Sequence, residues 1–445
     1  MKSLNIELRE PSASFSTPFD DQGKEEYQSL FKSMRKREIF ASVLSLFGST
    51  FGIGSLGLPA MMIKVGPLSW FLLLATALGI NYITFEAMIN FAEKLGFVNL
   101  VDLATILGNR KTYVTILVLF VLSTIFRLLS AMAVFNGLIC SVTEEFGVSN
   151  IYFIAKQSLM WVLIPSIALF PVLIKKKLKS LAVTTFISLG SAFYIIAFLA
   201  YSYFVAGSEP VENPKDLSSW TNIPTAYGFM LTATACQSNL MAIYKELTAK
   251  SVVIMRKIIW IHLGLFVFIY SCFATFGYLL FNADERILTM PFLELFTAHK
   301  GVFLLIANLL MIIASLNSFV FGFKPLKDTL LKLLEGEPET LEEQKQPNDN
   351  DFDPLNLTLT MALLCFFLGI SGIFTLNDIG FLQILTFSSN FIVPILFTFI
   401  PLAAAIKTQN SKIAIGAAVV AGSFYLWKVM DLVIPMISSA IELIM

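Results

Sequence analysis

The sequence predicts an all-α integral membrane protein with eleven transmembrane helices. Three observations carry this: repeated apolar runs long enough to cross a bilayer, a scarcity of charge, and a one-sided distribution of the basic residues. Charged residues make up 14% of the 445-residue chain and hydrophobic residues 56%, with 42 Phe, whereas a soluble domain carries about 25% charge. Mean hydropathy is +0.76. A β-barrel would instead show alternating segments of about ten residues.

A spanning helix needs about 20 apolar residues. Runs of that order fall at 39–63, 66–90, 112–140, 151–173, 180–206, 223–243, 255–281, 298–322, 355–377, 380–406 and 413–440. Alternating the sides puts 24 of the 31 Lys and Arg residues with the N-terminal tail and five opposite, with Arg127 and Lys428 inside spans. Basic residues mark the cytosolic side, so the N-terminus is expected in the cytosol and the C-terminus outside it. A plasma membrane and a vacuolar or endolysosomal membrane both fit. No cleavable signal is expected, because the first apolar run is too long for one. The four Cys (Cys140, Cys236, Cys272, Cys365) lie in or beside apolar segments, which argues against structural disulfides.

The polar segment 1–38 reads as a disordered cytosolic tail. Its basic cluster Lys32, Arg35, Lys36 and Arg37 fits an orientation signal touching anionic lipid, with a docking site for a cytosolic regulator as the alternative. An acidic cytosolic linker, 334–354, separates eight spans from three. The sequon Asn356-Leu357-Thr358 follows it and is expected to carry no glycan, being cytosolic.

Two spans are interrupted. Phe47 to Pro59, FGSTFGIGSLGLP, sets Gly52, Gly54, Gly57 and a proline inside span one. Glycine eases departure from helical geometry, and broken helices in hydrocarbon need surrounding protein or a cavity. Small residues four apart also mark close helix contacts, so that reading stays open. Span six carries Thr232, Thr234, Cys236, Gln237, Ser238 and Asn239, too many polar groups for a lipid face; polar helix contacts are the alternative. Interruptions at corresponding positions of two halves point to a transporter's midplane site. The predicted organisation is thus a first five-helix repeat at 39–206, a second at 223–406, and an appended helix at 413–440.

Four motifs, in order, resemble the amino acid/auxin permease family of transmembrane amino acid transporters, which includes vesicular, proton-coupled and sodium-coupled neutral amino acid transporters. They are Gly52-Ile53-Gly54-Ser55-Leu56-Gly57-Leu58-Pro59, Ile243-Tyr244-Lys245-Glu246-Leu247, Phe276-Gly277-Tyr278-Leu279-Leu280-Phe281 and Lys324-Pro325-Leu326-Lys327-Asp328-Thr329-Leu330. The resemblance implies a leucine-transporter-like fold, five plus five inverted helices with an eleventh appended, and substrate contacts at Thr50, Phe51, Ile53 and Gly54. The chain departs from the family pattern at three places. Gly48 stands where sodium-coupled members carry Asn, Gln237-Ser238 where many carry His-Pro, and Phe387-Ser388-Ser389-Asn390 where Gly-Ala-Thr-Ser is usual.

An unwound helix offers bare N–H groups and a positive helix end to a carboxylate, and bare carbonyls to an ammonium. Ser49, Thr50, Phe51, Gly52, Ile53, Gly54 and Ser55 are therefore expected to hold an amino acid's α-carboxylate. Thr232, Thr234 and Cys236 would supply carbonyls and a side-chain wall. Arg127, mid-span, is costly in the bilayer and a functional candidate; pairing with Glu86 or snorkelling is the alternative. Ser315, Asn317 and Ser318 on span eight are candidates for a coupling ion, or for joining helices. Glu86 is a candidate proton carrier, and Glu246 a gate or helix anchor near Lys245 or Arg256. Lys428 and Asp431, three apart on one helical face, suggest a structural pair.

The expected function is secondary active amino-acid transport by alternating access, with coupling to H+ ahead of Na+. Uncoupled exchange, and a transporter-fold sensor signalling through its tail, are the alternatives. With two His (His262, His299) and no P-loop, nucleophile elbow or metal spacing, no enzyme, cofactor, metal or nucleic-acid partner is expected. The predicted partners are a small-molecule amino acid and the lipid bilayer.

Overall fold

A computed structural model of the chain describes residues 21–95, 100–108, 110–145, 170, 173, 182–206, 218–247, 251–281, 301–335, 354–376, 381–409 and 411–444. Among the described residues the regular structure is helical throughout. The elements that position the site are α1 (Asp21–Thr50), α2 (Ile53–Leu56), α3 (Leu58–Val65), α4 (Pro67–Leu95), α5 (Leu103–Leu107), α6 (Arg110–Glu145) and α7 (Ala182–Tyr201). After these come α8 (Ile223–Thr234), α9 (Gln237–Glu246), α10 (Val252–Phe281), α11 (Val302–Glu335), α12 (Pro354–Leu376), α13 (Phe381–Val393), α14 (Ile400–Gln409) and α15 (Lys412–Ile444).

Seven of the described helices are long and apolar enough to cross a membrane, and α1 with the segment after it forms an eighth, bent by 57° between Lys36–Thr50 and Gly54–Val65. Helix also stands at the expected sixth span, as the two short pieces α8 and α9, and at the ninth as α12. The expected fourth span, 151–173, lies almost wholly outside the described residues, as does the linker 336–353. The tail differs from expectation. Helix α1 begins at Asp21 and runs unbroken into span one, so residues 21–38 are helical where disorder was expected. They contain no proline or glycine beyond Gly23 to stop a helix propagating outward from the apolar segment.

The fold places the broken helices centrally. Helix α1 packs on α7, α10 and α11; α8 packs on α3, α4 and α13; and α6 packs on α11 and α13. Close approach is bought with glycine at chosen points. A Cβ on Gly228 of α8 would meet Ser389 O of α13 at 2.7 Å. A Cβ on Gly48 of α1 would lie 2.8 Å from Asn317 Nδ2, Phe321 Cε2 and Thr185 Cγ2. Tertiary contact at this range leaves no room for a side chain. Against the bilayer the same helices present Leu68, Phe204, Val253, Phe268, Val419 and other apolar groups, as lipid solvation requires.

Candidate binding site at the two helix breaks

Helix α1 ends because its last residues turn inward on themselves and glycine follows. Ser49 Oγ donates to Leu46 O at 2.7 Å and Thr50 Oγ1 to Phe47 O at 3.0 Å, side-chain bonds that compete with the backbone ladder. Gly52 then adopts φ 141°, a region that L side chains rarely enter. A Cβ there would also meet Ser318 Cβ at 2.8 Å. Helix resumes at Ile53, with Ser55 Oγ donating to Gly52 O at 2.7 Å. In span six, α8 closes at Thr234, Ala235 is extended (φ −72°, ψ 113°), and α9 begins at Gln237. Each break exposes carbonyls that no helical N–H can reach.

Two helices supply partners to those ends. The Arg127 guanidinium of α6 donates to Ser49 O, a cation at a helix C-terminus, where the macrodipole is negative. Tyr270 of α10, fully buried, donates its hydroxyl to Thr50 O at 2.8 Å and lies 3.4 Å from Ala233 O. The breaks touch directly: a Cβ on Gly54 would meet Ala233 Cβ at 3.2 Å. Beside them lies a cavity lined by Ser123, Thr124, Arg127, Thr232, Ser238 and Ser388, with Ala235, Gly322, Val393 and Phe397.

A second polar cluster fixes the far side of span six. Gln237 Nε2 donates to Asn81 Oδ1 at 2.8 Å, Thr84 Oγ1 at 3.2 Å and Phe397 O at 3.2 Å. Asn81 Nδ2 in turn donates to Thr234 Oγ1. All four side chains are buried, where each unmade bond would be costly.

The structure therefore brings Arg127 to Ser49, Gly54 to span six, and Thr232 to the cavity wall. Thr234 and Cys236 are buried at the second break. Phe51 stacks on Phe47 at 5.0 Å and meets Phe273 edge-on at 5.8 Å, so its ring packs in the core. The side chain of Ile53 lies outside the described set. On α11, Ser318 faces Gly52 and Ser315 is buried. Asn317 accepts from Thr184 Oγ1 at 2.8 Å and donates to Thr185 Oγ1 at 3.3 Å. The Asn317 amide thus occupies the space that Gly48 leaves open.

One alternative pairing is corrected. Glu86 does not pair with Arg127; Arg256 Nε holds its carboxylate at 2.8 and 3.0 Å, because α10 packs on α4. For the same reason Arg256 is engaged by Glu86, while Glu246 stands half-buried at the end of α9. Lys428 Nζ donates to Thr225 Oγ1 at 2.9 Å, joining α15 to α8; the Asp431 side chain lies outside the described set. His262 is buried with its ring 6.2 Å from that of Phe266. No group of His, Cys, Asp or Glu suited to a metal occurs among the described residues.

Sequence reasoning missed Tyr270, Asn81, Ser123, Thr124 and Ser388. Ser123, Thr124 and Arg127 fall at helical spacing on one face, a signal that was available. Tyr270 shares its apolar run with Tyr278, and nothing local marked it out.

Comparison with known proteins decides the family. A model described as "Transmembrane amino acid transporter protein" matches residues 35–444. The chain belongs to this family. It is 25% identical over 366 residues to the amino acid transporter AVT6E of Arabidopsis thaliana, covering 73% of this chain and 68% of that protein. Among solved structures it is similar to mutant forms of the Eremococcus coleocola manganese transporter. The first of these gives a TM-score of 0.46 at 12% identity, covering 90% of this chain and 95% of that one; another gives 0.45 at 11%, with the same coverage. As a family member with several apolar helices, it is a multi-pass membrane protein of amino-acid transport.

Proposed function

We propose that this family member is a proton-coupled secondary transporter that carries an amino acid between the breaks of spans one and six by alternating access. The observation that carries the reading is the meeting of the two breaks, with Gly54 against Ala233 and Tyr270 reaching both carbonyl ends. The carboxylate would lie toward the start of the Gly54–Val65 helix half and the Arg127 guanidinium, where N–H groups and positive charge converge. The ammonium would take the carbonyls of Thr50 and Ala233, which the Tyr270 hydroxyl faces in this structure. Hydroxyls of Ser123, Thr124, Thr232, Ser238 and Ser388 would contact the substrate's polar atoms.

Alternating access would open the paired breaks to one side of the membrane and then to the other. The reading includes eleven spans in a five-plus-five inverted arrangement with the last appended. Proton coupling is favoured over sodium by Gly48, since a larger residue there would collide with Asn317. Uptake of radiolabelled L-amino acids into proteoliposomes tests the whole reading. Saturable uptake driven by an inward proton gradient and indifferent to sodium is the expected result. Equal flux with and without either gradient would reject coupling, and no uptake of any L-amino acid would reject transport.

A further inference from the structure

Tyr270 presents its hydroxyl to the carbonyl ends of both broken helices. Thr50 closes the first half of span one, and Ala233 stands in the last turn of the first half of span six. Both carbonyls are among the four at a helix C-terminus that lack a partner within the helix, and in an apolar interior such a group needs one. The phenol has a single proton. It goes to Thr50 O at 2.8 Å, while Ala233 O waits at 3.4 Å. The phenol ring is anchored by Phe266, with centroids 3.6 Å apart. Gly54 lets the two breaks meet, since a Cβ there would stand 3.2 Å from Ala233 Cβ, and it lies beside the hydroxyl.

We propose that the Tyr270 hydroxyl is a stand-in for the substrate ammonium. In the absence of substrate it holds the Thr50 carbonyl and stands beside that of Ala233, and the arriving ammonium displaces it. This rests on the reading of the two breaks as the substrate site. An ammonium carries three donors and a formal charge, so it can serve both carbonyls at once, which the phenol cannot. Tyr270 is thereby a positioning residue that weakens apparent affinity and keeps unsatisfied carbonyls from water or counter-ions between cycles.

The test compares Tyr270→Phe with wild type in proteoliposomes. The probes are the L-amino acid that wild type takes up best and its amine-free 2-oxo acid as competitor. Removing the competing donor should lower the half-saturating amino-acid concentration about two- to tenfold and leave inhibition by the 2-oxo acid unchanged. An unchanged or raised half-saturation would overturn the inference, as would an equal gain for the 2-oxo acid. A purely structural tyrosine would alter maximal rate or melting temperature without an amine-dependent shift. Should Tyr270→Phe fail to fold, 3,5-difluorotyrosine at the same position, a stronger donor of nearly the same shape, should raise half-saturation; no rise would overturn the inference. Absence of wild-type uptake would remove the transport reading and this inference together.

Discussion

Gly277 of α10 lies directly against the ring of Pro59 on α3, so that a Cβ added at Gly277 would stand 2.6 Å from Pro59 Cβ and closer still to Cγ. These residues belong to two of the four motifs, FGIGSLGLP and FGYLLF, which are more than 200 positions apart in the chain. The motif glycine is there because the proline that restarts span one packs onto span seven without an intervening side chain.

Gly277→Ala is therefore expected to overpack this contact and lower stability by about 1–3 kcal/mol, read as a fall in melting temperature in detergent. Gly79→Ala, where the added carbon meets nothing within 4 Å, should stay within about 0.5 kcal/mol. Equal effects at the two positions would contradict the packing argument.

Gly52→Ala combines a forbidden φ with a collision against Ser318. Strain of about 1–3 kcal/mol is expected, and it falls on the break itself. Uptake should drop at least about tenfold even in the fraction that remains folded, measured per molecule of monodisperse protein.

Arg127→Met removes the one cation that lines the cavity among the described residues and the cap on Ser49 O. Loss of a charge-assisted bond is worth about 1.5–3 kcal/mol, so substrate affinity should fall by at least about tenfold. Arg127→Lys should recover part of it, keeping the charge but not the planar fork. Direct binding measurements decide this.

Glu86→Gln breaks a pair whose Arg256 partner is 45% exposed. Exposed pairs contribute about 0–1 kcal/mol, so melting temperature should barely move. The variant is informative for transport. If it abolishes the proton dependence of uptake while saturable exchange survives, Glu86 carries the proton; if the dependence persists, another group does.

Gln237→Leu strands Asn81 and leaves the Phe397 carbonyl without this donor, and should cost about 1–3 kcal/mol. The double variant Asn81→Leu with Gln237→Leu should cost less than the sum of the two single changes, because the groups act as one network.

Much of the site was legible before the fold was known. The glycines at 52 and 54 and the polar run from Thr232 to Asn239 are chemically out of place in lipid, and that mismatch is a property of residue type alone. Arg127 was legible for the same reason. Its partner was not. Glu86 stood among the alternatives, and only the packing of α6 beside the end of α1, and of α10 beside α4, assigns the guanidinium to a carbonyl and the carboxylate to Arg256. Tyr270 and Asn81 were invisible because nothing local sets them apart from Tyr278 and Asn90 on the same helices; their roles exist only where another helix ends.

By itself, the sequence determined the solvent and the family, and carried an expectation of sidedness. Apolar run length, basic-residue bias and ordered motifs are local or additive properties and survive without coordinates. Tertiary structure decided which breaks meet, who caps their carbonyls and which side chains line the cavity beside them. Those outcomes depend on distances between helices remote in sequence, where a glycine's missing carbon or a tyrosine's hydroxyl matters only once a particular neighbour stands within about 3 Å of it.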